Sequence, residues 1–166
     1  MTRGKIIRKQ KPVLLAFENY RDSLTWYWSV LAAGGIPALL PPRRGTKESW
    51  IKELQHISSL LQFPATLSDR SNLDDLLDAG GVALTCVDDI VGDKEHQSPY
   101  QQNYVYPSFH KLDQICTILF TSGSTGPSKA VCYSHRQLLV ASHLKRQANN
   151  ICHTDQFLCW ICKAPV

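Results

Sequence analysis

No stretch of this 166-residue sequence approaches the ~20 apolar residues a helix needs to cross a bilayer. The N-terminus likewise lacks an apolar run of signal-peptide length, so no membrane association is expected and the chain reads as cytoplasmic. Charge of one sign is scarce too: 18 Lys and Arg against 14 Asp and Glu leave +4, too little to imply a nucleic-acid partner. What excess exists is local, with Arg3, Lys5, Arg8, Lys9 and Lys11 forming a basic arm over residues 1–11, expected to be a solvated terminus. A second C-x-x-C pair to match Cys159 and Cys162 is missing, so these two with Cys152 and His153 are not expected to hold zinc. Hydrophobic residues make up 43% and charged residues 19%, the composition of a globular domain with a core. Cys86, Cys116 and Cys132 fall in apolar surroundings inside predicted strands and are expected to be buried free thiols.

The apolar pattern alternates between short runs and helical stripes. Pro12 to Phe17 is a continuous apolar run, the mark of a strand covered on both faces. Asp22 or Ser23 is expected to cap the next helix, in which Leu24, Tyr27, Trp28 and Leu31 line one side while Trp26 and Val30 make the other apolar. That helix is therefore expected to be largely buried, and to end at Gly34 and Gly35 before a second strand over Ile36 to Leu40. Strand, helix and strand with short joints predict a parallel pair. A second, amphipathic helix is expected from Lys47 to Leu61, then a weak strand at Phe63 to Leu67, a short helix capped by Asn72, and a strand at Val82 to Val87. The sustained alternation predicts an α/β class fold: a layered, mostly parallel sheet flanked by helices. Residues 88–111 break the pattern and read as a long polar loop whose Tyr100, Tyr104 and Tyr106 pack within it. Strands are expected again at Ile115 to Thr121 and Ala130 to Tyr133, followed by a helix capped by Ser134 with Gln137 completing a capping box.

Between those last two strands lies the stretch with chemistry in it. Thr121, Ser122, Gly123, Ser124, Thr125, Gly126, Pro127, Ser128 and Lys129 bring five hydroxyls, two glycines and one lysine directly after a β-branched strand. Glycine allows successive backbone N–H groups to converge on an anion, hydroxyls add neutral donors, and lysine adds a mobile positive charge. This composition handles phosphate. The G-x-x-x-x-G-K-[ST] pattern is not met, because Ser128 stands where its second glycine belongs and Ala130 follows the lysine.

The stretch resembles the phosphate loop of the adenylate-forming superfamily, the acyl-CoA synthetases, luciferase-like ligases and adenylation domains of non-ribosomal peptide synthetases. Their pattern is aromatic-T-S-G-[ST]-T-G-x-P-K-G-V, and this chain reads F-T-S-G-S-T-G-P-S-K-A-V from Phe120 to Val131. Pro127 and Ser128 exchange the order of proline and its neighbour, and Ala130 replaces a glycine, so the exit of the loop is expected to be altered and the cradle kept. The unit from Val13 to Pro42, S-K-A-V-C-Y-S-H and D-Q-F-L-C-W-I extend the resemblance over residues 12–161, most closely to fungal synthetase-like multidomain proteins. Residues 162–166 depart from it.

The resemblance implies ATP and Mg2+ as the reagents that activate a carboxylic acid substrate as its acyl-adenylate, with transfer to a thiol of coenzyme A or of a carrier protein's phosphopantetheine arm. It places Thr121, Ser122, Gly123, Ser124, Thr125, Gly126 and Lys129 around the β- and γ-phosphates. It assigns no catalytic residue and no metal ligand to these 166 residues. The chain is expected to be an N-terminal part of an adenylation domain, inactive alone and prone to self-association through uncovered sheet edges. A non-catalytic nucleotide-binding or interaction module derived from such a domain is the alternative.

Overall fold

Alternate residues of Pro12–Ala16 (β1) feed two separate cores, and this division organises the domain. Leu14 and Ala16 pack with Ile36, Ala38, Leu54, Ile57 and Leu76, while Val13 and Leu15 pack with Phe17, Val30, Leu67 and Val87. A strand sends successive side chains to opposite faces, so one apolar run serves both. Burying each such side chain is worth roughly 1.5–3 kcal/mol. The computed structural model of the chain describes residues 10–41, 45–79, 83–91, 111–121 and 126–156.

Among the described residues, β1 lies inside a six-stranded sheet with Ile36–Leu39 (β2), Ala65–Ser68 (β3), Ala83–Cys86 (β4), Ile115–Phe120 (β5) and Ala130–Ser134 (β6), in the order β4-β3-β1-β2-β5-β6. Every neighbouring pair is parallel except β5 and β6, which run antiparallel. Tyr20–Ala32 (α1) covers the Val13 face through Val30. Lys47–Leu60 (α2) and Leu73–Ala79 (α3) cover the other through Leu54, Ile57 and Leu76. This is the expected layered α/β architecture.

Local signals explain where elements start. Thr46 caps α2, and Lys47 then reaches Asp75 at 3.1 Å and Asp78 at 2.6 Å on α3. Ser134 and Gln137 form the predicted capping box at the head of His135–Ala148 (α5), with Ser134 N–H donating to Gln137 Oε1 at 2.8 Å. Asp88–Val91 forms a short helix, α4; residues 92–110 of the predicted polar loop, its three tyrosines included, lie outside the described residues.

Three expectations need correcting. Asn19, and neither Asp22 nor Ser23, caps α1, its side chain accepting from Arg21 N–H at 2.9 Å. Nor is α1 largely buried: only Ser23 and Val30 are, and Trp28 is 62% exposed. Its apolar residues occupy two sides, but a helix lying on one sheet buries one stripe, here Val30 with Trp26 and Tyr27, and Trp26 stacks on Phe17 at 6.4 Å. Cys86 and Cys116 are buried free thiols as expected, but Cys132 is exposed, on β6, which pairs only with β5 among the described residues and has exposed residues on both faces.

Candidate functional site

β5 reaches the loop firmly held. Thr117 Oγ1 donates to Pro37 O at 3.2 Å inside the core, and Ala38 is in register with Ile118. Since β5 runs parallel to β2, the loop leaves the carboxyl end of the sheet, where open α/β folds place their ligands.

Of the seven sequence-predicted site residues, Thr121, Gly126 and Lys129 are described, while Ser122, Gly123, Ser124 and Thr125 lie outside the described residues. The described part is the neck of the loop, and it is closed by three hydrogen bonds. Thr121 N–H donates to Lys129 O at 3.0 Å, and Lys129 N–H donates to Thr121 Oγ1 at 3.1 Å. Ser128 Oγ donates to Thr121 O at 3.0 Å. Both backbone groups of Lys129 are thus spent on Thr121, which fixes its Cα at the mouth of the loop. Its side chain is exposed, and the ammonium has no ion-pair partner among the described residues. Around Gly126 nothing lies within 4 Å of where a Cβ would stand, so the backbone there is open to an approaching group.

Two residues at this neck were not among the predicted site residues. Ser128 is buried and stands where the resembled pattern carries proline, which has no hydroxyl to give Thr121 O. His56, on α2, contacts Ser128 O through Nε2 at 2.9 Å. The departure of Ser128 from the pattern was the one available signal; nothing in the spacing of α2 marks His56.

Beyond the neck, β6 hands the chain to α5. His135 N–H bonds Gln114 O at 3.1 Å, Arg136 N–H bonds Leu112 O at 2.8 Å, and the Arg136 guanidinium takes both oxygens of Asp113 at 2.7 and 3.3 Å. Hydrogen bonding to that guanidinium, with its charge, holds the Asp113 carboxyl below its usual range. Lys111, Leu112, Asp113, Gln114 and Arg136 line a shallow cavity of about 470 Å³. The ion pair occupies two of its three charged groups, Asp113 and Arg136.

The donor set at the neck fits the phosphates of ATP: an ammonium without an ion-pair partner among the described residues, a threonine hydroxyl whose proton is not needed by Lys129, and open backbone at Gly126. Among the described residues no group of three His, Cys, Asp or Glu side chains is placed to hold a metal ion. Cys152 instead uses Asp155 locally, its N–H donating to Asp155 Oδ2 at 2.8 Å. Among the described residues no helix is long and apolar enough to cross a membrane.

The mostly parallel sheet flanked by helices, with Thr121 following the carboxyl end of β5, makes this an α/β domain. The family model described as "AMP-binding enzyme" matches residues 3–164, and the chain belongs to that family. Among its curated relatives, the nonribosomal peptide synthetase acyN of Ascocoryne sarcoides is 33% identical over 157 residues, which is 95% of this chain and 17% of that protein. The aspulvinone E synthetase melA of Aspergillus terreus is 33% identical over 149 residues, 90% of this chain and 16% of its own length. The chain therefore spans about a sixth of the curated relatives it matches. Among solved structures, the adenylation domain of a keto acid-selecting NRPS module bound to keto acyl adenylate shares the fold at a TM-score of 0.70 and 20% identity, over 90% of this chain and 27% of that one. McyG A-PCP, complexed with phenylalanyl-adenylate, gives a TM-score of 0.70 at 24% identity, over 87% and 23%.

Proposed function

We propose that these residues carry the phosphate grip of an ATP-dependent adenylate-forming ligase. Thr121, Ser122, Gly123, Ser124, Thr125, Gly126 and Lys129 hold the β- and γ-phosphates while a carboxylic acid attacks the α-phosphorus. The acid's oxygen bonds to that phosphorus, the bond to the bridging oxygen breaks, and pyrophosphate leaves with its electrons. Donors fixed before the reaction stabilise the charge that accumulates on it. Magnesium, the acid, and the thiol of coenzyme A or a carrier protein's phosphopantetheine enter from the family resemblance. The kinship with peptide synthetases and the adenylate-bound neighbours support ATP and an acid.

The observation that carries this reading is the Thr121–Lys129 neck, which fixes the lysine's backbone and leaves its ammonium unpaired among the described residues. One loop grips one side of a nucleotide, and adenylation needs groups positioned from several elements, so the 166 residues alone bind ATP without turnover. A charge-assisted contact to phosphate is worth about 1.5–3 kcal/mol, so Lys129→Ala weakens ATP binding roughly ten- to a hundredfold, read by calorimetric titration. Equal binding by both proteins would remove the phosphate-grip reading. Acid-dependent ATP–pyrophosphate exchange by the 166-residue chain would show a working ligase and overturn its inactivity alone.

A further inference from the structure

We propose that His56 is the positioning residue of this loop, fixing the peptide group from which Lys129 projects. The inference rests on the phosphate-grip reading for its consequence, and on geometry alone for the contact. Ser128 O can only accept, so the 2.9 Å contact requires the proton on His56 Nε2, and the ring donates. The carbonyl of Ser128 and the N–H of Lys129 belong to one planar peptide unit. Its oxygen is held by His56, and its N–H, at the opposite edge of the plane, by Thr121 Oγ1 at 3.1 Å. A plane tied at both ends cannot turn, and the Cα of Lys129 turns with it.

The tether is stiff at its far end as well. Leu54 and Ile57, on either side of His56 in α2, are 1% and 0% exposed, so the imidazole hangs from a helix locked into the core. The contact spans 72 residues of sequence and is a tertiary one. Ser128 itself is buried, so without His56 its carbonyl would lose a partner where water reaches poorly. The peptide then gains freedom to rotate, and the ammonium samples positions away from the phosphates. His56 touches no reacting atom in this scheme and acts through Lys129.

Three variants of the 166-residue chain test this: His56→Gln, whose amide N–H can replace Nε2–H; His56→Leu, without a donor; and His56→Asn, whose amide is too short. Two readouts are taken on each, the exchange rate of the Lys129 amide hydrogen without ligand and the affinity for ATP. Leu and Asn are expected to speed exchange at Lys129 and weaken ATP binding about tenfold, while Gln restores both to within about threefold. In a Lys129→Ala background His56→Leu should cost no further affinity, because the residue it positions is gone; a loss of general stability would weaken both backgrounds alike. Should His56→Leu fail to fold, the Gln and Asn pair carries the same comparison. Unchanged Lys129 exchange in a folded Leu or Asn variant overturns the proposal, as does an equal affinity loss in both backgrounds. If the native chain and Lys129→Ala bind ATP equally, the phosphate reading fails by itself, and the exchange rates still decide whether His56 holds the peptide.

Discussion

Ser128 shows how a small departure from a family pattern becomes structure. Its hydroxyl bonds Thr121 O and its carbonyl receives His56, so one side chain and one backbone group close the neck from two directions. Ser128→Ala removes a single hydrogen bond, worth about 0.5–1.5 kcal/mol, and the expected result is a small drop in melting temperature with faster amide exchange at Thr121 and Lys129. Exchange that stays native would mean the hydroxyl adds nothing to the closure. The hydroxyl-rich loop was legible in the sequence because its composition is local. His56 was not, because a histidine on an amphipathic helix looks the same whether it meets water or a carbonyl 72 residues away. Cys132 was misjudged for a related reason: an apolar neighbourhood in sequence does not say that β6, among the described residues, has a partner on one side only.

Elements that are held at their ends behave differently from those held along a face. α2 is held along a face, with Leu54, Ile57 and Ser58 buried. α5 has no buried residue, and its attachment is concentrated in the first turn: the Ser134–Gln137 box, two backbone bonds into residues 112–114, and the Arg136–Asp113 pair. The box was readable from two residues at the right spacing, but the lack of packing beneath Leu139 and Leu144 was not, since an apolar stripe shows a capacity for burial and not its fulfilment. Because the Asp113 carboxyl titrates lower in the folded chain than in the unfolded one, the pair stabilises the fold above the ordinary carboxylate range, about pH 3.9, and that contribution is lost as pH falls through the lowered folded value. Asp113→Asn is therefore expected to destabilise slightly at pH 7, by an amount that shrinks toward nothing in strong acid and in high salt, measured by urea melts at each condition. A difference that persists unchanged at low pH would rule out the charge as its source.

Taken as a molecule, the chain buries two cores and leaves much apolar surface outside them. Trp28 is 62% exposed, Leu139 60% and Leu144 57%, and β4 and β6 are the two edges of the sheet among the described residues. Exposed apolar faces and unpaired edges both promote association. The 166-residue chain is expected to self-associate with rising concentration in sedimentation velocity, and paired Leu139→Ser and Leu144→Ser substitutions are expected to lessen it. A monomer at every concentration, with a sharp two-state melt, would count against this. The layered α/β sheet was readable because strand and helix alternate for most of the sequence; which helix faces stay uncovered depends on contacts that no short window of sequence contains.

The lone antiparallel strand also sets an order of assembly. β5 and β6 are joined by the loop itself and pair Phe120 with Ala130, so the neck closes through contacts ten residues apart or fewer. Such hairpins form in about 1–10 μs, whereas contacts across long chain segments bear the entropy of closing a large loop. The Thr117 bond to Pro37 and the His56 bond to Ser128 join residues 80 and 72 apart. The neck is therefore expected to take its shape early, and to be seated on the sheet only when the distant strands and α2 arrive.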